Sequence, residues 1–160
     1  VLKTLRDKPK AIIIDQGGMT TDYLMLKEGS ADLSVCDSLE NGVITLYNQV
    51  KSRVSAELDV LLEESEIDAI LKGRTEHVSP QVADMVERQA QAFVNDLFST
   101  LRERGLELRS GVVVFVGGGS ILLCRQIEAS GKVGDPLFIN DIQANAKGFE
   151  LLFRLAQEGR

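Results

Sequence analysis

Two glycine-rich turns hold the residues whose types and spacing could do chemistry. The first is Asp15-Gln16-Gly17-Gly18-Met19-Thr20-Thr21-Asp22. Glycines at Gly17 and Gly18 let the backbone turn tightly and leave room for a ligand's phosphates to approach N–H groups, since no Cβ stands in the way. Thr20 and Thr21 offer hydroxyl donors. Asp15 closes a short apolar run, where a carboxylate could hold magnesium through its waters. A hairpin turn with solvated polar residues explains the same pattern. The second turn is Val116-Gly117-Gly118-Gly119-Ser120. There a β-branched run meets a helical pattern, and ligands of open α/β sheets gather outside such strand ends. Three glycines leave a bare surface on which a flat group such as a purine could lie. Tight strand-to-helix packing is the competing explanation. No Gly-Lys-Ser/Thr follows, so this is not a Walker A loop, and it is not Gly-x-Gly-x-x-Gly either.

Both turns need elements to position them. Ala11–Ile14 reads as a buried strand, Thr21–Leu26 and Ala31–Cys36 as two more, joined by short turns into an antiparallel meander. Helical spacing then takes over at Val43, Ile44, Tyr47, Val50 and Val54, with Asn41 as N-cap. Ser65 and Asp68 suggest a capping box for a short helix stopping at Gly73. Ser79-Pro80 opens a long amphipathic helix that Gly105 ends. Val112–Val116 is a strand, Ser120 begins a helix running through Ile127, and Leu137–Ile139 is a last strand. Asp141 is expected to cap a final helix through Phe149 and Phe153. The order predicts an α/β fold, one mixed sheet with helices on its faces.

Composition narrows the function classes. The chain has 160 residues, 44% hydrophobic and 26% charged, enough for one domain with a substantial core. A net charge of -6 with scattered acidic groups argues against direct nucleic-acid binding. The basic cluster Lys3, Arg6, Lys8 and Lys10 reads as a solvated edge. No apolar stretch is long enough for a bilayer helix, and the charged first residues give no signal-peptide pattern. Cys36 and Cys124 lack metal spacing and read as small hydrophobes in a reducing, cytoplasmic setting. Val1 in place of Met suggests a piece of something longer. His77 and the Glu63-Glu64 pair read as surface residues.

Taken together, the two turns resemble the second phosphate motif and the adenosine motif of the actin/chaperone/sugar-kinase ATPase superfamily, about a hundred residues apart as in that superfamily's second lobe. Asp135-Pro136-Leu137-Phe138-Ile139 and Ala144-Asn145-Ala146-Lys147-Gly148-Phe149 are similar to the closing stretch of plasmid-segregation actins of the ParM/StbA type. The resemblance implies a ribonuclease-H-like carboxy-terminal lobe, a three-stranded antiparallel meander extended by two parallel strands, with helices on both faces and a small helical insertion at about residues 58–79. It implies ATP/ADP and magnesium as cofactors. Asp15 would be the catalytic, metal-linked carboxylate that helps orient water. Gly17, Gly18 and Thr20 would hold phosphates, and Gly117, Gly118, Gly119 and Ser120 would line the adenosine pocket. Met19 stands where relatives often carry a small or polar residue. The superfamily's first phosphate loop has no match in this chain. An intact parent is therefore expected to hydrolyse ATP with magnesium while this fragment stays nearly inactive. The implied partners are the missing amino-terminal lobe, further copies in a filament, and a DNA-binding adaptor, in plasmid segregation or cytoplasmic organisation. A lobe of a chaperone-like or reactivase ATPase, or a non-catalytic module that keeps the fold, are the alternatives.

Overall fold

A computed structural model of the chain describes residues 8–140. Its centre is a five-stranded sheet in the order β3-β2-β1-β4-β5. β1 (Lys10–Gln16), β2 (Thr21–Lys27) and β3 (Ser30–Leu39) form the expected antiparallel meander. β4 (Val112–Val116) and β5 (Asp135–Phe138) add to it in parallel. All five residues of β4 are buried, as a strand covered on both faces requires.

Alternation along β1 sorts its side chains. Ile12 and Ile14, with Val113 and Phe115 of β4, face the main core together with the buried residues of every described helix. Those helices are α1 (Val43–Leu58), α2 (Glu64–Leu71), α3 (Pro80–Glu103), α4 (Gly118–Leu122) and α5 (Cys124–Ala129). Ala11, Val112, Val114 and Val116 form a second apolar cluster on the other face. The helix expected after Asp141 lies outside the described residues. Phe93 and Phe98 of α3 are core residues, and Phe98 meets the ring of Phe115 at 6.2 Å. None of the described helices is long and apolar enough to cross a membrane.

Several local expectations change. α1 is capped at Gly42, not Asn41, and by no side chain. α2 begins at Glu64 because the capping box is Glu63 with Glu66, whose carboxylate takes the Glu63 N–H at 2.7 Å. That removes Ser65 and Asp68 from capping. Ser79 does cap α3, accepting from the Val82 N–H, with Pro80 in the first turn. The helix expected from Ser120 to Ile127 breaks at Leu123, whose backbone (φ -95, ψ 9) leaves helical geometry. β3 runs longer than expected, and a register shift opposite Leu24 and Met25 leaves Leu33 exposed. Cys36 lies on this edge strand and is exposed, contrary to its apolar reading, while Cys124 is half-buried. His77 is exposed.

Candidate functional site

The first glycine turn joins β1 to β2 and is built onto the start of α1. Three helix N–H groups that have no intrahelical acceptor find partners in the turn's carbonyls: Gly42 to Met19 at 3.0 Å, Val43 to Gly17 at 3.1 Å and Ile44 to Gly18 at 3.0 Å. Every peptide bond described is trans, and in a trans peptide the C=O and the following N–H point in opposite directions. The N–H groups of Gly18, Met19 and Thr20 therefore point away from α1. Three successive amides aimed outward make a concavity suited to an anion. The Gly17 N–H is already donated to the Thr20 carbonyl at 2.9 Å. The Thr20 hydroxyl donates to Asp22 at 3.0 Å. The amides offered outward thus start at Gly18, and Gly42 must be glycine because a Cβ there would strike the Gly18 and Met19 backbone.

Asp15 sits at the end of β1, on the face opposite the described helices, paired with Asp22 of β2 and with Val116 of β4. A Cβ on Gly117 would collide with the Asp15 carboxylate and the Gln16 carbonyl, and Gly117 also holds a φ of +87°. The two turns are therefore in direct contact. The three glycines of the second turn differ in kind. Gly117 and Gly119 are required by close neighbours, whereas Gly118 has nothing within 4 Å of a built Cβ. Ser120 is fully buried, and its hydroxyl donates to the Val116 carbonyl at 2.7 Å. It is turned into the fold, because α4 begins two residues before it.

Gly118 and Gly119 open on a cleft of about 370 Å³ shared with Gly18 of the first turn, Ile44 and Tyr47 of α1, Asp68 of α2 and Lys72, the residue that caps α2. The sequence reading missed the last three. The Tyr47 hydroxyl donates to Asp68 at 2.5 Å, and Lys72 pairs with the same carboxylate at 3.6 Å. Burial first, then the hydrogen bond to Asp68 and after it the Asp68 charge, pushes the Tyr47 phenol above its ordinary range, so it stays a donor. The partly exposed ion pair adds little stability. Its effect is to hold a carboxylate and an ammonium at the cleft mouth. Asp68 and Lys72 share a helix face at spacing i, i+4, and that signal was available in the sequence.

Hard oxygen donors suit magnesium, which is held by one or two carboxylates together with water and phosphate oxygens. Asp15 and Asp22, paired across β1 and β2, fit that description. Among the described residues no group of three or more carboxylate, imidazole or thiol side chains is placed to hold a metal. The remaining ligands would have to come from water or a bound molecule.

The family model described as "archaeal actin homologue MreB-like, C-terminal" matches residues 13–129, which include both turns. No curated protein matches the chain. Among solved structures, the archaeal actin homolog Ta0583 aligns with a TM-score of 0.67 at 21% identity, covering 97% of this chain and 50% of its own. The apo pSK41 ParM protein aligns at 0.69 and 16% identity, covering 97% and 44%. Bacillus thuringiensis ParM with ATP aligns at 0.58 and 14% identity, covering 86% and 43%. The chain thus spans about half the length of these structures or somewhat less. With its meander, its two parallel strands and its pair of touching glycine turns, the chain belongs to the archaeal MreB-like actin family and corresponds to that family's C-terminal domain.

Proposed function

We propose that this chain is the second nucleotide-binding lobe, residues 1–160, of an actin-like ATPase that assembles into filaments, with residues 58–79 as a small insertion. The observation that carries the reading is the contact between the two turns. One offers three outward amides, the other a bare glycine beside an apolar cleft, and a single nucleotide would reach both. In this reading the purine lies over Gly118 and Gly119, with Tyr47, Asp68 and Lys72 at its ribose side. The phosphates meet the amides of Gly18, Met19 and Thr20. A relative solved with ATP supports the choice of ligand.

Asp15 and Asp22 would hold magnesium, which neutralises phosphate charge when bound. Asp15 would also accept a hydrogen bond from the attacking water and so orient it. Phosphoryl transfer depends on positioning and charge neutralisation from all sides of the phosphate. The amides described here stand on one side only. An amino-terminal lobe would complete the site. Plasmid segregation through a DNA-binding adaptor, or cytoplasmic organisation, is the role we assign to the filament.

The test is phosphate release and light scattering with ATP and magnesium, on a protein holding both lobes and on the 160-residue chain. We expect hydrolysis with a rise in scattering from the two-lobed protein and only trace hydrolysis from the chain. Equal turnover by the two would sink the two-lobe reading. Hydrolysis with no assembly would favour a chaperone-like lobe.

A further inference from the structure

Gln16 follows Asp15 in β1, and its side chain goes the other way, to the helix-covered face, where it is 2% exposed. A buried amide is costly unless its donors and acceptor are used. Gln16 uses them to join two segments and packs against a third. Its Nε2 donates to the Asn41 carbonyl at 2.9 Å, one residue before the glycine that caps α1. Its Oε1 accepts from the Thr21 hydroxyl at 2.8 Å, where β2 begins. Thr21 is fully buried and lies within 2.8 Å of the Asn41 carbonyl as well. The third segment is the second glycine turn. A Cβ on Gly119 would meet the Gln16 Cγ at 2.5 Å and its carbonyl at 2.7 Å, and a Cβ on Gly117 would meet that carbonyl at 2.6 Å.

We infer that Gln16 is a positioning residue that fixes the distance between the two ligand-facing turns. This rests on the nucleotide reading above. The backbone of Gln16 forms the floor beneath Gly117 and Gly119. Its side chain anchors the start of α1, whose N–H groups in turn hold the carbonyls of Gly17, Gly18 and Met19. One residue, through its side chain and its backbone, thereby ties the amide-bearing turn to the bare-glycine turn. Gln16 does not line the cleft, so it acts through the turns and not on the ligand.

A ligand that touches both turns at once gains from their fixed spacing, as any two-point contact gains from a matched span. A ligand that touches one turn does not. Gln16→Leu keeps the volume and removes both hydrogen bonds, while Thr21 can still donate to Asn41. The measurement is calorimetry on the two-lobed protein, wild type and Gln16→Leu, with ATP and magnesium and separately with adenosine, at a temperature where circular dichroism shows both folded. We expect ATP affinity to fall about ten-fold or more and adenosine affinity to change by less than about three-fold. Turnover at saturating ATP should fall by up to about a hundred-fold, the range for a misplacement near 1 Å. Parallel losses for both ligands, or no loss for either, would overturn the positioning role. If Gln16→Leu does not fold, Thr21→Val removes the donor to Oε1 and should give the same split between ATP and adenosine; parallel loss there overturns the proposal equally. A wild-type protein binding neither ligand would overturn the nucleotide reading itself, an outcome distinct from the others because it appears before any substitution is made.

Discussion

Replacing Asp15 by alanine in the two-lobed protein is expected to slow ATP hydrolysis by about ten-fold to ten-thousand-fold, the range for a positioned acid–base group, with the fold preserved. Asp15 is the next-to-last residue of β1, and its backbone is held by the pairings with Asp22 and Val116 whatever its side chain. The described helices lie on the opposite face, so truncation opens no cavity among them. It also removes a like charge directly across from Asp22, an arrangement that ordinarily costs a little stability. A melting curve close to that of wild type, with phosphate release sharply reduced at saturating ATP, is the expected pair of results. Normal hydrolysis would reduce Asp15 to a hairpin residue.

The second large effect separates neighbouring glycines. Gly118→Val should leave the melting temperature almost unchanged, since its Cβ meets nothing within 4 Å. Its branched side chain would occupy the cleft, so ATP and ADP affinity should fall together by about ten-fold or more, or ~1.4 kcal/mol. Gly119→Ala should behave in the opposite way. Its Cβ would meet the Gln16 and Val43 side chains at 2.5 Å and the Gln16 carbonyl at 2.7 Å. Overpacking of this kind costs about 1–3 kcal/mol, or roughly 2–4 °C per kcal/mol in a domain of this size. Calorimetry with both nucleotides, beside thermal melts of both variants, checks the contrast. A folded Gly118→Val protein with undiminished affinity would make the turn structural and the domain a module that keeps the fold without its ligand.

What could be read from the sequence followed local chemistry. β4 was legible in full because a β-branched run sits between Gly111 and Gly117, and α3 because Ser79-Pro80 and Gly105 mark its ends. The helical run from Val43 was legible, but the cap of α1 was not. Its cap consists of backbone carbonyls from Gly17, Gly18 and Met19, more than twenty residues earlier, and no side chain signals it. Ser120 has the type of an N-cap but sits inside its helix and bonds back to Val116. Gln16 reads as a polar turn residue, and only the fold shows it buried. The cleft groups Tyr47, Asp68 and Lys72 come from two helices and the cap of the second, and the nearest glycine of the second turn lies 45 residues beyond Lys72. Sequence spacing links Asp68 to Lys72 but not either to the glycines. Asp22 was visible in the motif, and only the β1–β2 register puts it opposite Asp15.

The central claim is that a nucleotide is held where the two turns meet. Amide proton–nitrogen spectra of the isotope-labelled two-lobed protein, titrated with ATP and magnesium, test it residue by residue. The claim predicts the largest shifts in this chain at Gly18, Met19 and Thr20 and at Gly118 and Gly119, with Lys72 following, and little change at Leu106, Leu108 and Lys132 at the far end of α3. Shifts confined to that far end, or none in either turn at saturating ATP, would contradict it.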